Sequence, residues 1–275
     1  MNGDHHMQDP LGYEGKHVVV TGAASGMGQA AAAILVDLGA DVMGLDVKPV
    51  DKPVRQAFEI DLRERASIDK VVGAIGGPVD GVFSCAGLPG PPFSDLDTVL
   101  VNFIGARHLI ESLVPNLPPG SGVVAVSSAA AVGWQQALDS LQPLVETDGF
   151  EAGKAWMETH PDAVGYSAYA FTKQLMNVWV SSRAVDLIDK GIRLNCICPG
   201  PTETPMMPAF HALAGKELVD MAVGPIGRYS TPEEQAWALV LLNSPRLSYV
   251  TGEVFDTDGG FTGALITGRQ KGWGA

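Results

Sequence analysis

Cysteine is scarce in this chain of 275 residues, with Cys85, Cys196 and Cys198 its only three. Three thiols make no paired framework, and Cys196 and Cys198, two apart in a strand-like run, share one of its faces. They read as reduced core residues, because a free cysteine packs as a small hydrophobe, and no metal site is expected. Long hydrophobic runs are missing too. None approaches the roughly 20 residues needed to cross a bilayer, and Met1 to Pro10 has neither the basic start nor the apolar stretch of a signal peptide. A cytoplasmic location is expected, with no membrane partner. Basic residues fall short of acids, 18 against 31, for a formal net charge of -13. That balance lacks the positive field by which nucleic acid or an anionic surface is bound, so a small-molecule ligand is expected. Hydrophobic residues, at 46%, suffice for the core of one large α/β domain.

Glycine is plentiful, and its placement matters most between His17 and Gly39. The apolar run His17-Val18-Val19-Val20 shows no alternation, as suits a parallel strand buried on both faces. Thr21-Gly22-Ala23-Ala24-Ser25-Gly26-Met27-Gly28 follows. A helix comes next, with Met27, Ala31, Ile34, Leu35 and Leu38 on one face and Gly39 at its end. Gly22, Gly26 and Gly28 remove side chains that would hold a diphosphate off the backbone, while the helix N-terminus offers free N–H groups and partial positive charge. The implied ligand is a dinucleotide; a tight turn that merely needs glycine is the alternative. Asp46 closes a second strand, Asp41 to Asp46, 20 residues beyond Gly26, near the spacing at which a dinucleotide fold sets an acid against the adenosine ribose. Such an acid accepts from both ribose hydroxyls and repels a 2′-phosphate, which favours NAD over NADP, although Lys48 would soften that exclusion.

Strands and helices then alternate. Gln56 to Ile60, closed by Asp61-Leu62, is a third strand. A fourth, Val79 to Gly87, ends in Ser84-Cys85-Ala86-Gly87, small enough for close backbone approach. Gly122 to Val126 is a fifth, Gly191 to Cys198 a sixth, and a seventh begins at Glu253, with helices over Glu64 to Ala74 and Leu96 to Val114. The pattern predicts a single-domain, Rossmann-type, doubly wound parallel sheet of seven strands with helices on both faces. Ligands in such sheets sit at the carboxyl ends of the strands, where Ser128 falls. Asn102 stands among apolar Val99, Phe103, Leu109 and Leu113, and a buried amide must find partners, either a structural water or an active site. Tyr169 and Lys173 lie side by side at i, i+4 in a helical segment, Ala163 to Asp189. A neighbouring cation favours phenolate and lowers a pKa that is otherwise about 10, making Tyr169 usable as an acid or base.

Through Thr21 to Gly28, Cys85-Ala86-Gly87, Asn102, Ser128, Tyr169, Lys173 and Pro199-Gly200, the chain resembles the short-chain dehydrogenase/reductase superfamily, from about His17 to Phe261. The resemblance implies that Gly22, Ser25, Gly26, Met27 and Gly28 hold the diphosphate of NAD(H), that Asp46 selects NAD, and that Asp61 and Leu62 contact the adenine side. Cys85, Ala86 and Gly87 would line the cofactor, with Pro199, Gly200 and Thr202 near its nicotinamide and Thr204 on the carboxamide. Ser128 would polarise the substrate oxygen and Tyr169 exchange its proton. Lys173 would hold the nicotinamide ribose and assist Tyr169, and Asn102 would fix a relay water. Two features depart from the family pattern. Its usual Asn-Ala-Gly is Cys85-Ala86-Gly87, which affects a structural hydrogen bond near the fourth strand. Ser128 and Tyr169 are also 41 residues apart, more than is common, so an insertion lies within about 129–168 and is expected to form two short helices. Tyr166 is a rival tyrosine, but position 170 is alanine, which leaves it without a lysine.

Such insertions resemble those of a bacterial subgroup that includes 3α-hydroxysteroid dehydrogenase/carbonyl reductase and coniferyl-alcohol dehydrogenase. The implied activity is NAD(H)-dependent interconversion of a secondary alcohol and a ketone on a bulky hydrophobic substrate. An aromatic, coniferyl-like alcohol is the alternative; a non-catalytic dinucleotide sensor would have no need of Ser128, Tyr169 and Lys173 together. The expected organisation is a flexible tail over 1–14, one catalytic domain over 15–262 and a second tail over 263–275. A substrate lid over about 201–224 carries Met206, Met207 and Phe210, flexible or flat groups suited to closing on an apolar ligand. The insertion shapes either the substrate pocket or a subunit interface. A homo-oligomer is expected, a dimer before a tetramer.

Overall fold

Alternation along buried strands decides which layer of helices each side chain meets. The structure, a computed structural model describing residues 9–51 and 54–272, has seven strands in one parallel sheet. They are β1 (His17–Thr21), β2 (Asp41–Asp46), β3 (Gln56–Glu59), β4 (Gly81–Ser84), β5 (Gly122–Val126), β6 (Arg193–Pro199) and β7 (Val254–Thr257). Their order is β3-β2-β1-β4-β5-β6-β7. Helices α1 (Gly26–Asp37), α2 (Arg65–Ile75), α3 (Asp95–Val99), α4 (Ala106–Leu113), α5 (Leu138–Val145) and α6 (Gly149–Thr159) fall in the first part of the chain. The rest contains α7 (Ala168–Ile188), α8 (Met207–Ala214), α9 (Lys216–Asp220), α10 (Pro232–Asn243) and α11 (Phe261–Ile266). Val18 and Val20 join Phe83, Val124, Leu35 and Leu239 in the layer under α1 and α10, whereas Val19 joins Ile104, Leu109, Leu175 and Trp179 under α4 and α7. Each such fully buried aliphatic or aromatic side chain contributes about 1.5–3 kcal/mol.

From β1 the chain winds out through β2 to β3 and then returns to β4 on the other side of β1. The connections at the carboxyl ends of β1 and β4 therefore diverge and leave a crevice, the place where open α/β sheets hold ligands.

Four expectations change in the coordinates. The helix read over Leu96 to Val114 is interrupted by a π-helical stretch, Leu100–Gly105, between α3 and α4. Its last residue lies so close to the preceding crossover that a Cβ on Gly105 would fall 2.1 Å from the Leu62 carbonyl oxygen. Helix α7 starts at Ala168, not Ala163, because Ser167 caps it by accepting from Ala170 N at 3.2 Å. The insertion does form two helices, but their apolar residues Leu141, Leu144, Phe150 and Met157 enter the sheet's core, with α5 packed on α7. Only its ends, Ala129-Ala130 and Val164 to Ala168, border the cleft described below. Finally, residues 9–14 are folded onto the domain: Tyr13 is buried and its hydroxyl donates to Val240 O at 2.7 Å. His5 and His6 and residues 273–275 lie outside the described residues. Past α11, Gln270 donates to Met221 O at 2.6 Å, so the second predicted tail docks against the lid. No helix among the described residues is long and apolar enough to cross a membrane.

Candidate active site

Thr21 ties the two sides of the crevice together. Its Oγ1 accepts from Cys85 N at 3.0 Å and Ala86 N at 3.1 Å. That contact leaves no room between the loops: a Cβ on Gly22, whose φ is +69°, would lie 2.9 Å from Ala86 N, and one on Gly28 only 2.4 Å from Gly22 O. Glycine is thus demanded by sterics at both positions. Ser25 precedes α1 in an extended conformation and makes no side-chain cap, and no acid stands in the first turn. The first N–H groups of a twelve-residue helix face the crevice with their positive charge unquenched. Asp46 ends β2 beside this loop, its carboxylate accepting from Ala24 N at 3.0 Å and Lys48 N at 2.9 Å. Each oxygen keeps a free lone pair, and Lys48 approaches through its backbone.

Beyond the sheet, Ser128 caps a short 3-10 turn, Ala129–Ala131, accepting from Ala130 N at 3.1 Å, and borders the same cleft as Tyr169. Lys173 is buried one turn after Tyr169, its ammonium 5.4 Å from the tyrosine ring centroid and donating to Val126 O at 2.7 Å. Ser127 donates to Lys173 O at 3.0 Å and so holds that turn of α7 against β5. Burial lowers the Lys173 pKa to about 8. Burial also raises Tyr169 to about 12, against the smaller opposing pull of the nearby Ser128 hydroxyl. This corrects the sequence expectation of a phenol held down by its lysine: with Nζ turned to a carbonyl, desolvation outweighs the cation.

Asn102 lies in the π stretch, where extra-long turns often mark functional positions. Its Oδ1 accepts from Leu88 N at 2.6 Å and its Nδ2 donates to Leu88 O at 2.9 Å and Thr172 Oγ1 at 3.2 Å. Thr172 in turn donates to Tyr169 O at 2.7 Å. The Asn102 side chain thus braces the loop after β4 against α7. Gly87 lets that loop approach the amide, since a Cβ there would stand 3.3 Å from Asn102 Oδ1.

Three predicted cofactor contacts are placed differently. Leu62 is a core side chain. Asp61 is clasped on both oxygens by Arg63, which holds its carboxyl below the usual range. The Thr202 hydroxyl is taken by Gly200 O at 2.9 Å and Ser230 Oγ at 2.8 Å. Thr204, by contrast, crosses the crevice, its methyl 3.5 Å from where a Gly26 Cβ would be. Between these elements opens a cleft of about 790 Å³, bordered by Met27, Ser128, Tyr169, Pro199, Gly200 and Thr204 and roofed by α8 and α9. Phe210 of α8 meets the Tyr169 ring edge-on at 4.8 Å. Tyr166 stands at the mouth, 89% exposed. Cys85, Cys196 and Cys198 are free thiols; the latter two donate to Asn177 Oδ1 at 3.5 and 3.8 Å, sharing one face of β6 as expected.

The short chain dehydrogenase family model matches residues 16–138, and the model described as enoyl-(acyl carrier protein) reductase matches 155–262. A 3-alpha-hydroxysteroid dehydrogenase/carbonyl reductase of Comamonas testosteroni is 31% identical over 90% of this chain and 97% of its own length. The chain belongs to the short-chain dehydrogenase/reductase family. Within the family, a coniferyl-alcohol dehydrogenase of a Pseudomonas species is 29% identical, covering 91% of this chain and 98% of the relative. The crystal structure of a Pseudomonas 3-alpha-hydroxysteroid dehydrogenase complexed with NADH superposes with a TM-score of 0.80 at 29% identity, over 93% of this chain and all of that one. The family motif led to Ser128, Tyr169 and Lys173, which the fold brings together. Ser127 and Thr172 were not singled out, since a hydroxyl at a strand end or inside a helix carries no signal until its partner is placed.

Proposed function

We propose that this protein is an NAD(H)-dependent oxidoreductase that interconverts a secondary alcohol and a ketone on a bulky hydrophobic substrate. The observation that carries the proposal is that Ser128 and Tyr169 border one largely apolar cleft adjoining the glycine loop, with the Lys173 ammonium 5.4 Å from the tyrosine ring centroid. The residues at that loop fit a dinucleotide: two glycines admit no Cβ, Ser25 leaves the α1 N-terminus open, and Asp46 stands where a 2′-phosphate would be repelled. When bound, NAD(H) supplies the two-electron acceptor or donor. The chain's residues supply the rest. Ser128 donates to the substrate oxygen and orients it toward Tyr169. Tyr169 removes the hydroxyl proton in oxidation and returns it in reduction, a role worth about 10²- to 10⁴-fold in rate. Lys173 holds positive charge near the phenol, and Phe210 and Met207 of α8, with Met206 just before it, exclude water.

Tyr169→Phe is expected to lower kcat at least 10²-fold while NADH still binds, measured by steady-state rates and a fluorescence titration. Near-normal turnover would defeat the proposal. The identity to a coniferyl-alcohol dehydrogenase supports a second reading, an aromatic primary alcohol in the same cleft. Rates with 3α-hydroxysteroids and cinnamyl alcohols separate the two.

We propose further that residues 15–262 act as one catalytic domain with α8–α9 as its lid, that the protein works in the cytoplasm, where its free thiols stay reduced, and that it is a homodimer. Strand β7 is an uncovered sheet edge, and a groove of about 880 Å³ beside it exposes Trp237, Leu241 and Phe255. The insertion helix α5 packs on α7, and this covering of α7 favours the dimer over a tetramer.

A further inference from the structure

The cleft takes its chemical sign from its rim. Among the described residues that border it, Asp95 alone carries a charge. Asp95 is exposed in the first turn of α3, next to the wall formed by Pro89, Gly90 and Pro91. Its carboxylate makes no hydrogen bond or ion pair with the described residues. The same cleft is bordered by exposed apolar groups of the lid, Leu213 and Leu218, with Leu213 Cδ2 4.0 Å from where a Gly90 Cβ would stand. Lys173, the nearest base to the reacting centre, lies behind Tyr169 and is committed to Val126 O. An anionic substrate therefore finds one fixed negative charge at the entrance and no cation to offset it, on a molecule whose net charge is already -13.

We infer that Asp95 sets the charge class of the substrate. Neutral cyclic alcohols and ketones enter, and a hydroxyl at the distal end is welcomed as a donor to the carboxylate; substrates ending in a carboxylate or phosphate, acyl carriers included, are disfavoured. The inference rests on the alcohol–ketone reading above and adds a specificity-determining residue to it. Two like charges about 8 Å apart at a half-wet rim reduce affinity by about fivefold to tenfold, and salt removes that penalty. A charge at the start of α3 also suits the helix dipole, but that role acts on every substrate alike.

The test uses pairs that differ only in charge: lithocholate with its methyl ester, and 4-carboxycinnamyl alcohol with its methyl ester. In the unmodified protein the ester should exceed the acid in kcat/KM by about fivefold or more, chiefly through KM, with the ratio shrinking as salt rises from about 10 mM to about 0.5 M. Asp95→Asn should reduce the ratio and Asp95→Lys should reverse it. Equal efficiency with acid and ester, or a ratio indifferent to salt and to both substitutions, overturns the inference alone. Turnover of neither ester overturns the alcohol–ketone reading and the inference with it.

Discussion

Lys173 keeps its charge without a carboxylate partner. Its ammonium is buried against Val126 O, and burial brings its pKa from 10.5 down to about 8. The sign of the effect on stability follows from proton counting. Between about pH 8 and 10.5 the unfolded chain holds a proton that the folded chain has released, so stability rises with pH across that window, and at neutral pH the buried charge costs on the order of 3 kcal/mol. Lys173→Met should therefore unfold at a higher temperature than the unmodified protein at pH 7, with the difference narrowing toward pH 10.5, while losing turnover. Calorimetry at pH 7 and pH 9.5 checks this, and a lower melting temperature at pH 7 would contradict it. Stability exchanged for function is a common property of active sites. The i, i+4 pair was legible from the sequence because helical spacing alone sets it. The direction of the tyrosine pKa was not, because it depends on how much water the fold removes.

At the scale of elements, the insertion is held by a residue outside it. Arg107 of α4 is buried and forms no ion pair among the described residues; its guanidinium donates to Val145 O and Gly149 O, both at 2.9 Å, and to Thr147 Oγ1 at 3.0 Å. These acceptors include a carbonyl left free at the end of α5, where the helix dipole is negative, so Arg107 caps one helix from another. Arg107→Ala should cost about 2–4 kcal/mol, since several buried carbonyls lose their donor together. Faster amide exchange over residues 138–160 than over β1 and β4 in the variant is the expected signature, and uniform exchange across both would remove the assignment. The sequence predicted two helices here from their apolar residues but left open what they face. Phe150 and Met157 look alike on paper whether they line a pocket or enter a core. In the same way the π stretch around Asn102 escaped detection; its last residue, Gly105, packs against Leu62 O, a contact between distant segments.

For the molecule as a whole, a parallel sheet closed on both faces still has two edges, and unpaired edges invite association. At β3 the edge is short and polar, Gln56 to Glu59; at β7 it carries Phe255, with Trp237 and Leu241 of α10 beside it. A dimer through the second edge is expected, and Phe255→Asp should convert it to a monomer in sedimentation velocity. A monomer before substitution, or a tetramer, would refute the proposed assembly.

Local chemistry was enough to determine the order of strands and helices, the glycine loop and the i, i+4 placement of Tyr169 and Lys173, because each depends on residue type at short spacing; Ser128 was reached only through the family motif. Tertiary structure alone decided that Leu62 is core and Asp61 is claimed by Arg63, that Asn102 braces Leu88, that the insertion turns inward, and that Asp95 guards the cleft. Those outcomes turn on which groups compete for the same hydrogen bond or the same space, and such competition exists only once the chain has brought them together.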